Sequence, residues 1–331
     1  MRAILMTDVG PAEVLQPAEI DEPAITTPTQ IKVNLKAAGV NPVDTKLRNR
    51  GLSFDDALPA ILGCDGAGVV VETGEKVTRF SRGDHVWFCH GGLGAAPGNY
   101  AEYTVLDEKE AEMKPTRLSF EQAAALPLVS ITAWEALFDR ADLKSSQTVL
   151  IHAGASGVGH IAVQLAKAAG AKVCATVSTD QKAAFVKRLG ADKVINYRDS
   201  DFVDEVLQWT HGDGVDMVLD TVGDDTFQRS MSAARVYGHV NTLLEPSSNV
   251  DWKVARNRNL SISFTLMLTP MLMNLPEARR RQGKILHRCA KLITDFKLKP
   301  TVSDVLPLAE AATAHRMIEQ GHAQGKIVLS I

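Results

Sequence analysis

The chain has 331 residues, of which 45% are hydrophobic and 23% charged, with a formal net charge of −3. That length allows two domains with sizeable cores, and the composition is ordinary for a globular protein. The near-neutral balance argues against a nucleic-acid or anionic-membrane footprint. Four scattered cysteines, Cys64, Cys89, Cys174 and Cys289, with no C-x-x-C pair, argue against a disulfide framework or a clustered zinc site.

Residues 1 to about 125 predict a β-rich domain. Short apolar runs at Ala3–Met6, Ile31–Leu35, Gly68–Val71 and Val86–Phe88 are divided by recurring Pro and Gly, with no long helical period. The N-terminus, MRAILMTDVGP, lacks the apolar core of a signal peptide. Gly63-Cys64-Asp65-Gly66-Ala67-Gly68 is a glycine-dense approach to a strand, which suits close backbone packing. Ser119-Phe120-Glu121-Gln122 has the spacing of a capping box, and Thr132–Phe138 reads as a further helical stretch.

From Val149 onward strands and helices alternate. Strands are expected at Val149–Ile151, Lys172–Val177, Lys193–Ile195, Met217–Leu219 and His239–Leu243. Helices fall between them, at 157–170, Asp180–Leu189, Phe202–Thr210 and Thr226–Ala233. Repeated βα units predict an α/β fold with a parallel, doubly wound sheet. The first unit, VLIHAGASGVGHIAVQLAKAAG over 149–170, places Gly154, Ser156, Gly157 and Gly159 between strand and helix. A tight turn there lets backbone approach a pyrophosphate at the helix N-terminus. Ser156 replaces the second glycine of G-x-G-x-x-G, but the strand and helix around it supply the context that pattern needs. Val158 occupies the last position of G-x-S-x-G, so a serine nucleophile elbow is rejected.

Ile262, Phe264, Leu266 and Leu268 alternate with other residues and predict an edge strand that pairs across a homodimer. The apolar stretch around them, 260–275, is too short and interrupted to span a bilayer, and a cytoplasmic location is expected. Glu277–Phe296 has helical spacing, with Arg279-Arg280-Arg281 read as its solvated face. Ala309–Glu319 reads as a helix and Ile327–Ile331 as a strand, and this last segment is expected to rejoin the first domain.

Several separated motifs then occur in one order. They are Gly39-Val40-Asn41-Pro42-Val43-Asp44, Gly63 to Val70, Gly83-Asp84-His85-Val86, Leu126-Pro127, Thr132-Ala133, Val215-Asp216, Asp220-Thr221-Val222-Gly223 and Gly325 to Leu329. Together they resemble the medium-chain dehydrogenase/reductase superfamily, in its zinc-free quinone oxidoreductase (zeta-crystallin-like) branch. The resemblance implies a central Rossmann domain over 126–269 and a β-rich GroES-like catalytic domain built from 1–125 and 270–331, with a cleft between them. The three catalytic zinc ligands of the family's alcohol dehydrogenases match Asn41, Cys64 and a position near Leu128, so a zinc alcohol dehydrogenase is disfavoured. Cys64 then reads as a small packed residue.

By the same resemblance, Asn41 would donate an amide hydrogen bond, and Lys46 a positive charge, to the substrate oxygen during hydride transfer. Family quinone reductases often carry tyrosine at the Lys46 position, and lysine there is more like the enone and alkenal reductases. Lys46 reads equally as a solvated surface residue. Asp44 caps a local turn or orients Lys46. The second strand ends without an acid at Val177, and Ser178, Lys182 and Tyr197 match residues around a 2′-phosphate, which implies NADPH rather than NADH. His322 stands where the family has an arginine near that phosphate. Thr132, Gly157, Val158, Val222 and Gly223 match further cofactor contacts, with Leu243 and Phe264 near the nicotinamide. The expected protein reduces a small quinone or α,β-unsaturated carbonyl compound. The competing reading is an NADPH-binding protein with a structural or RNA-binding role.

Overall fold

The computed structural model describes residues 1–54, 57–321 and 323–331, so His322 lies outside the described residues. The chain divides into two compact units, Met1–Leu128 with Leu268–Phe296 and Pro300–Ile331, and Val129–Met267 with Lys297–Lys299.

The first unit opens with β1 (Arg2–Met6), β2 (Leu15–Glu19) and the long β3 (Gln30–Val40), followed by helix α1 (Pro42–Arg50). It continues with β4 (Ala60–Ile61), β5 (Asp65–Thr73), β6 (His85–Cys89), β7 (Tyr103–Asp107), β8 (Ala111–Met113) and α2 (Phe120–Ala124). Alternate residues of β3 are buried, and Ile31, Val33 and Leu35 meet Val70, Val86, Phe88 and Leu106 in the core. At α2 the capping box forms as the spacing predicts. Ser119 Oγ accepts from Gln122 N at 3.2 Å and Gln122 Oε1 accepts from Ser119 N at 3.1 Å. Helix α1 lies in a region whose sequence shows no long helical period. Pro42 sets φ for its first turn, and Asp44 Oδ2 accepts from the Asn41 N–H at 2.8 Å.

Helix α3 (Pro127–Trp134) begins five residues ahead of the expected Thr132 and runs into a π-helical turn over Glu135–Arg140. The second unit then follows the βα rhythm. Its elements are β9 (Thr148–Ile151), α4 (Gly157–Ala168), β10 (Lys172–Val177), α5 (Asp180–Arg188), β11 (Lys193–Asn196), α6 (Phe202–Trp209), β12 (Val215–Asp220), α7 (Asp224–Ala233), β13 (Ala234–Thr242), α8 (Lys253–Asn257) and β14 (Ser261–Phe264). The six strands are parallel and lie in the order β11-β10-β9-β12-β13-β14. Leu150, Val218, Val240, Phe227 and Met231 pack in one core of this unit.

Strand β14 stops at Phe264, short of the expected Leu268. Thr265 still donates its N–H to Thr242 O at 3.0 Å. Leu268 then begins the turn into α9 (Thr269–Leu272), where Pro270 has no N–H for a ladder and suits a first helical turn. The chain returns to the first unit with α10 (Pro276–Thr294), β15 (Val302–Pro307), α11 (Ala311–Gln320) and β16 (Lys326–Ser330). Strand β16 pairs antiparallel with β3, matching Ile327 to Val40, which sets Lys326 beside the turn that starts α1. The first unit's larger sheet runs β15-β16-β3-β5-β6-β8, with β7 also on β3.

Candidate functional site

In the second unit, β9 ends in a tight turn at His152–Ser156. Ala153 has φ +48°, and Ser156 caps α4 by accepting from Gly159 N at 3.1 Å. A Cβ on Gly154 would lie 2.8 Å from Ala175 Cβ, and one on Gly159 only 2.2 Å from Ala153 O. Gly154 is therefore required by the close approach of the turn to β10 and Gly159 by that of α4 to the turn, and α4 presents its first N–H groups at the open end of the sheet. The residues singled out from the sequence follow the carboxyl ends of different strands of this one sheet. Tyr197 follows β11; Ser178 and Lys182 follow β10; Gly154, Ser156, Gly157, Val158 and Gly159 follow β9. Val222 and Gly223 follow β12, Leu243 follows β13, and Phe264 closes β14. All of them thus share one sheet edge, where open α/β sheets bind ligands. Thr132 stands apart from that edge in sequence, buried in α3.

A cavity of about 510 Å³ opens on this edge, and Tyr197, Val222, Arg198 and Arg229 line it. Tyr197 and Val222 were anticipated; the two arginines were not. Arg229 is held by an ion pair to Asp201. Val177 is buried and places no carboxylate at the end of β10, whereas Lys182 lies in the first turn of α5 beside its Thr179 cap. These residues fit a phosphorylated ribose better than a free one.

In the first unit, the β3–α1 junction holds a buried polar cluster. Asn41 Nδ2 donates to Asp65 Oδ2 at 2.9 Å, and Asn41 Oδ1 accepts from Lys326 Nζ. Lys326 Nζ also donates to Val40 O at 2.8 Å and lies 3.7 Å from Asp65 Oδ2. Asp65 Oδ1 accepts from Leu128 N at 2.7 Å. Burial pushes the Asp65 carboxyl up against the pull of Lys326, and the same burial pushes the Lys326 ammonium down against the pull of Asp65 and Asp44. Asp44 is wholly buried; burial raises its carboxyl to about 7, although Asn41 N–H, Tyr100 O–H and Lys326 all favour its ionised form.

Three residues singled out from the sequence, Asn41, Asp44 and Lys46, lie at this junction. Asp44 is enclosed, accepting from Asn41 N and, at 3.0 Å, from Tyr100 Oη, in the turn-capping place its sequence position suggests. Asn41 is likewise fully buried, with its carbonyl and one amide hydrogen engaged inside the protein. Of the three, Lys46 alone is exposed, on the outer face of α1. The donor set does not fit a zinc ion. Asn41 oxygen already faces an ammonium, Leu128 brings only backbone, and burial pushes the Cys64 thiol well above its usual range. Among the described residues no group of three or more His, Cys, Asp or Glu side chains is placed to hold a metal.

Beside this cluster a second cavity of about 360 Å³ opens in the first unit, walled by Phe54, Leu93 and Met271 with His90, Glu110 and Arg279 among its polar groups. His90 N donates to Cys64 O at 2.7 Å, which ties the cavity to the buried cluster. Arg279 corrects the sequence reading of a solvated arginine face. It is 6% exposed and donates to Glu110 Oε2 at 2.8 Å and Cys89 O at 2.7 Å.

A six-stranded parallel sheet in this order, with a glycine turn after its first-in-sequence strand, is the dinucleotide-binding unit of an oxidoreductase. Comparison with known proteins gives the family. Residues 27–116 match the model of the alcohol dehydrogenase GroES-like domain, and residues 189–329 that of the zinc-binding dehydrogenases. Quinone oxidoreductase 1 of Escherichia coli is 35% identical over 326 residues, covering 97% of this chain and 96% of that protein. The crystal structure of E. coli quinone oxidoreductase complexed with NADPH has a TM-score of 0.88 at 32% identity, covering 100% of both chains. An alcohol dehydrogenase superfamily protein from Novosphingobium aromaticivorans gives 0.91 at 33%, covering 100% of this chain and 99% of that one. The chain belongs to the medium-chain dehydrogenase/reductase superfamily, in its quinone oxidoreductase branch.

Proposed function

We propose that the protein uses NADPH to reduce a quinone or an α,β-unsaturated carbonyl compound, without zinc. The observation that carries this reading is the sheet edge, where a glycine turn, a helix N-terminus and residues at the carboxyl ends of the five other strands lie together. NADPH, when bound, supplies the hydride. Lys182 and Ser178 would hold its 2′-phosphate, the turn from Gly154 to Gly159 its pyrophosphate, and Leu243 and Phe264 would flank the nicotinamide.

Reduction leaves negative charge on the substrate oxygen. In a zinc enzyme the metal would meet that charge; here the buried ammonium of Lys326 faces Asn41 and Asp65, and the exposed ammonium of Lys46 is the cation assigned to the substrate. The test is NADPH consumption with a simple quinone and a simple enone side by side, for wild type and Lys46→Ala. Loss of enone turnover in the variant supports an enone reductase with Lys46 as electrophile. Quinone-only turnover, unchanged in the variant, makes the quinone the substrate and removes Lys46 from the chemistry. NADPH bound but never consumed would sink the catalytic reading.

A further inference from the structure

We propose that His90 is the proton donor of this reduction. The assignment rests on the reductase reading above. Hydride addition delivers two electrons and one hydrogen to the acceptor, which then carries one negative charge on its oxygen. One proton completes the reduced product.

His90 follows directly on β6 and lines the first unit's cavity. Its Nδ1 is 2.5 Å from Glu110 Oε2, and the same oxygen accepts from Arg279 Nη2 at 2.8 Å. Burial pushes the Glu110 carboxyl up, but the hydrogen bond and charge of His90 and the Arg279 guanidinium outweigh it and hold Glu110 at about 2. An ionised carboxylate only accepts, so the hydrogen between the two sits on His90 Nδ1. That bond fixes the ring orientation and leaves Nε2 as the nitrogen free to exchange a proton. Among the described residues Nε2 has no hydrogen-bond partner.

Two fully buried histidines, His152 and His315, are held differently. His152 meets Thr176 Oγ1 at 3.1 Å and Ser230 Oγ at 2.9 Å, one through each ring nitrogen. His315 meets Arg48 Nη1 and Tyr100 Oη, each at 3.3 Å, again with both nitrogens engaged. His90 has one nitrogen anchored by an ion-paired carboxylate and its ring against a cavity of about 360 Å³ with apolar walls. A cavity of that size accommodates a small cyclic acceptor. In the imidazolium form both ring nitrogens carry a proton; the one on Nε2 passes to the substrate oxygen as its charge develops, the Nδ1 hydrogen stays in its bond to Glu110, and the neutral imidazole left behind takes a proton from solvent. Glu110 and Arg279 act through His90 by holding its ring.

The test compares wild type, His90→Gln and His90→Ala, with NADPH and either a naphthoquinone or a cyclic enone, alongside NADPH affinity by fluorescence titration. The expected result is unchanged NADPH affinity in both variants and a kcat lower by about 100-fold, in the range a positioned acid contributes. Added imidazole restores turnover to His90→Ala and leaves wild type unaffected. His90→Gln retaining wild-type kcat overturns the assignment while leaving the reductase reading intact. If His90→Ala folds poorly, His90→Gln decides alone, because glutamine can still donate to Glu110 but has no acid proton. Wild type consuming NADPH with neither acceptor overturns the reductase reading, and the role of His90 with it.

Discussion

Replacing Lys326 with methionine tests the buried cluster at the β3–α1 junction. Methionine keeps much of the apolar stem but removes the charge and both hydrogen bonds, to Val40 O and Asn41 Oδ1. Lys326 is 3% and Asp65 0% exposed, so solvent cannot replace the missing partner. Breaking such a buried pair from one side costs about 3–5 kcal/mol. For a unit of this size that corresponds to a fall in Tm of about 10 °C, read by near-ultraviolet circular dichroism. The loss grows with pH. Without Lys326 the Asp65 carboxyl, already pushed up by burial, rises further. A carboxyl raised in the folded state contributes stability at low pH and loses it as pH climbs through the folded value. The variant is therefore least handicapped near pH 5 and most handicapped near pH 8, on the order given by the ordinary carboxylate range. A fall of under about 2 °C at both pH values would refute the reasoning, because it would mean the ammonium is not what compensates Asp65.

Two further predictions concern Asp44 and Lys182. Asp44 titrates at about 7 in the folded chain against an ordinary value of 3.8, so it favours folding below pH 4 and ceases to do so as pH rises to 7. Asp44→Asn removes that slope, and urea unfolding between pH 4 and 8 should show the variant gaining on wild type as pH increases. Lys182→Ala removes the cation assigned to the 2′-phosphate. It should weaken NADPH binding by roughly 10- to 100-fold, the worth of a charge-assisted hydrogen bond, and leave NADH binding nearly unchanged in the same titration. Equal losses for both nucleotides would detach Lys182 from that phosphate.

The dinucleotide-binding unit was legible because its signals are local. Lys172–Val177 is a run of strand formers between turns, and the βα alternation from Val149 to Thr242 repeats one pattern with one topological outcome. Helix α1 was hidden because Pro42–Arg50 carries only Val43 and Leu47 as apolar side chains, too few to set a period. Asn41 was singled out from the sequence, but its partners were not. Its contacts come from Asp65, 24 residues on, and Lys326, 285 residues on, and only the antiparallel register of β16 on β3 joins them.

Arg279 carried a signal that went unread. The buried stripe of Leu286, Cys289 and Ile293, extended backwards at the same three- and four-residue spacing, reaches Gln282 and then Arg279, but not Arg280 or Arg281. His90 had no such signal. What distinguishes it from His152 and His315 is a single unpartnered nitrogen at a cavity wall, and that follows from where Glu110 and Arg279 arrive from elsewhere in the chain.

The most direct test of the whole account is a single-turnover experiment: purified protein with an equal amount of NADPH, mixed with a naphthoquinone or a cyclic enone while nicotinamide absorbance is followed. The account predicts that one acceptor or both oxidise the bound NADPH completely, with one equivalent of reduced product and no effect of a zinc chelator. NADPH that stays bound and reduced in the presence of both acceptors, or oxidation that the chelator abolishes, would contradict it.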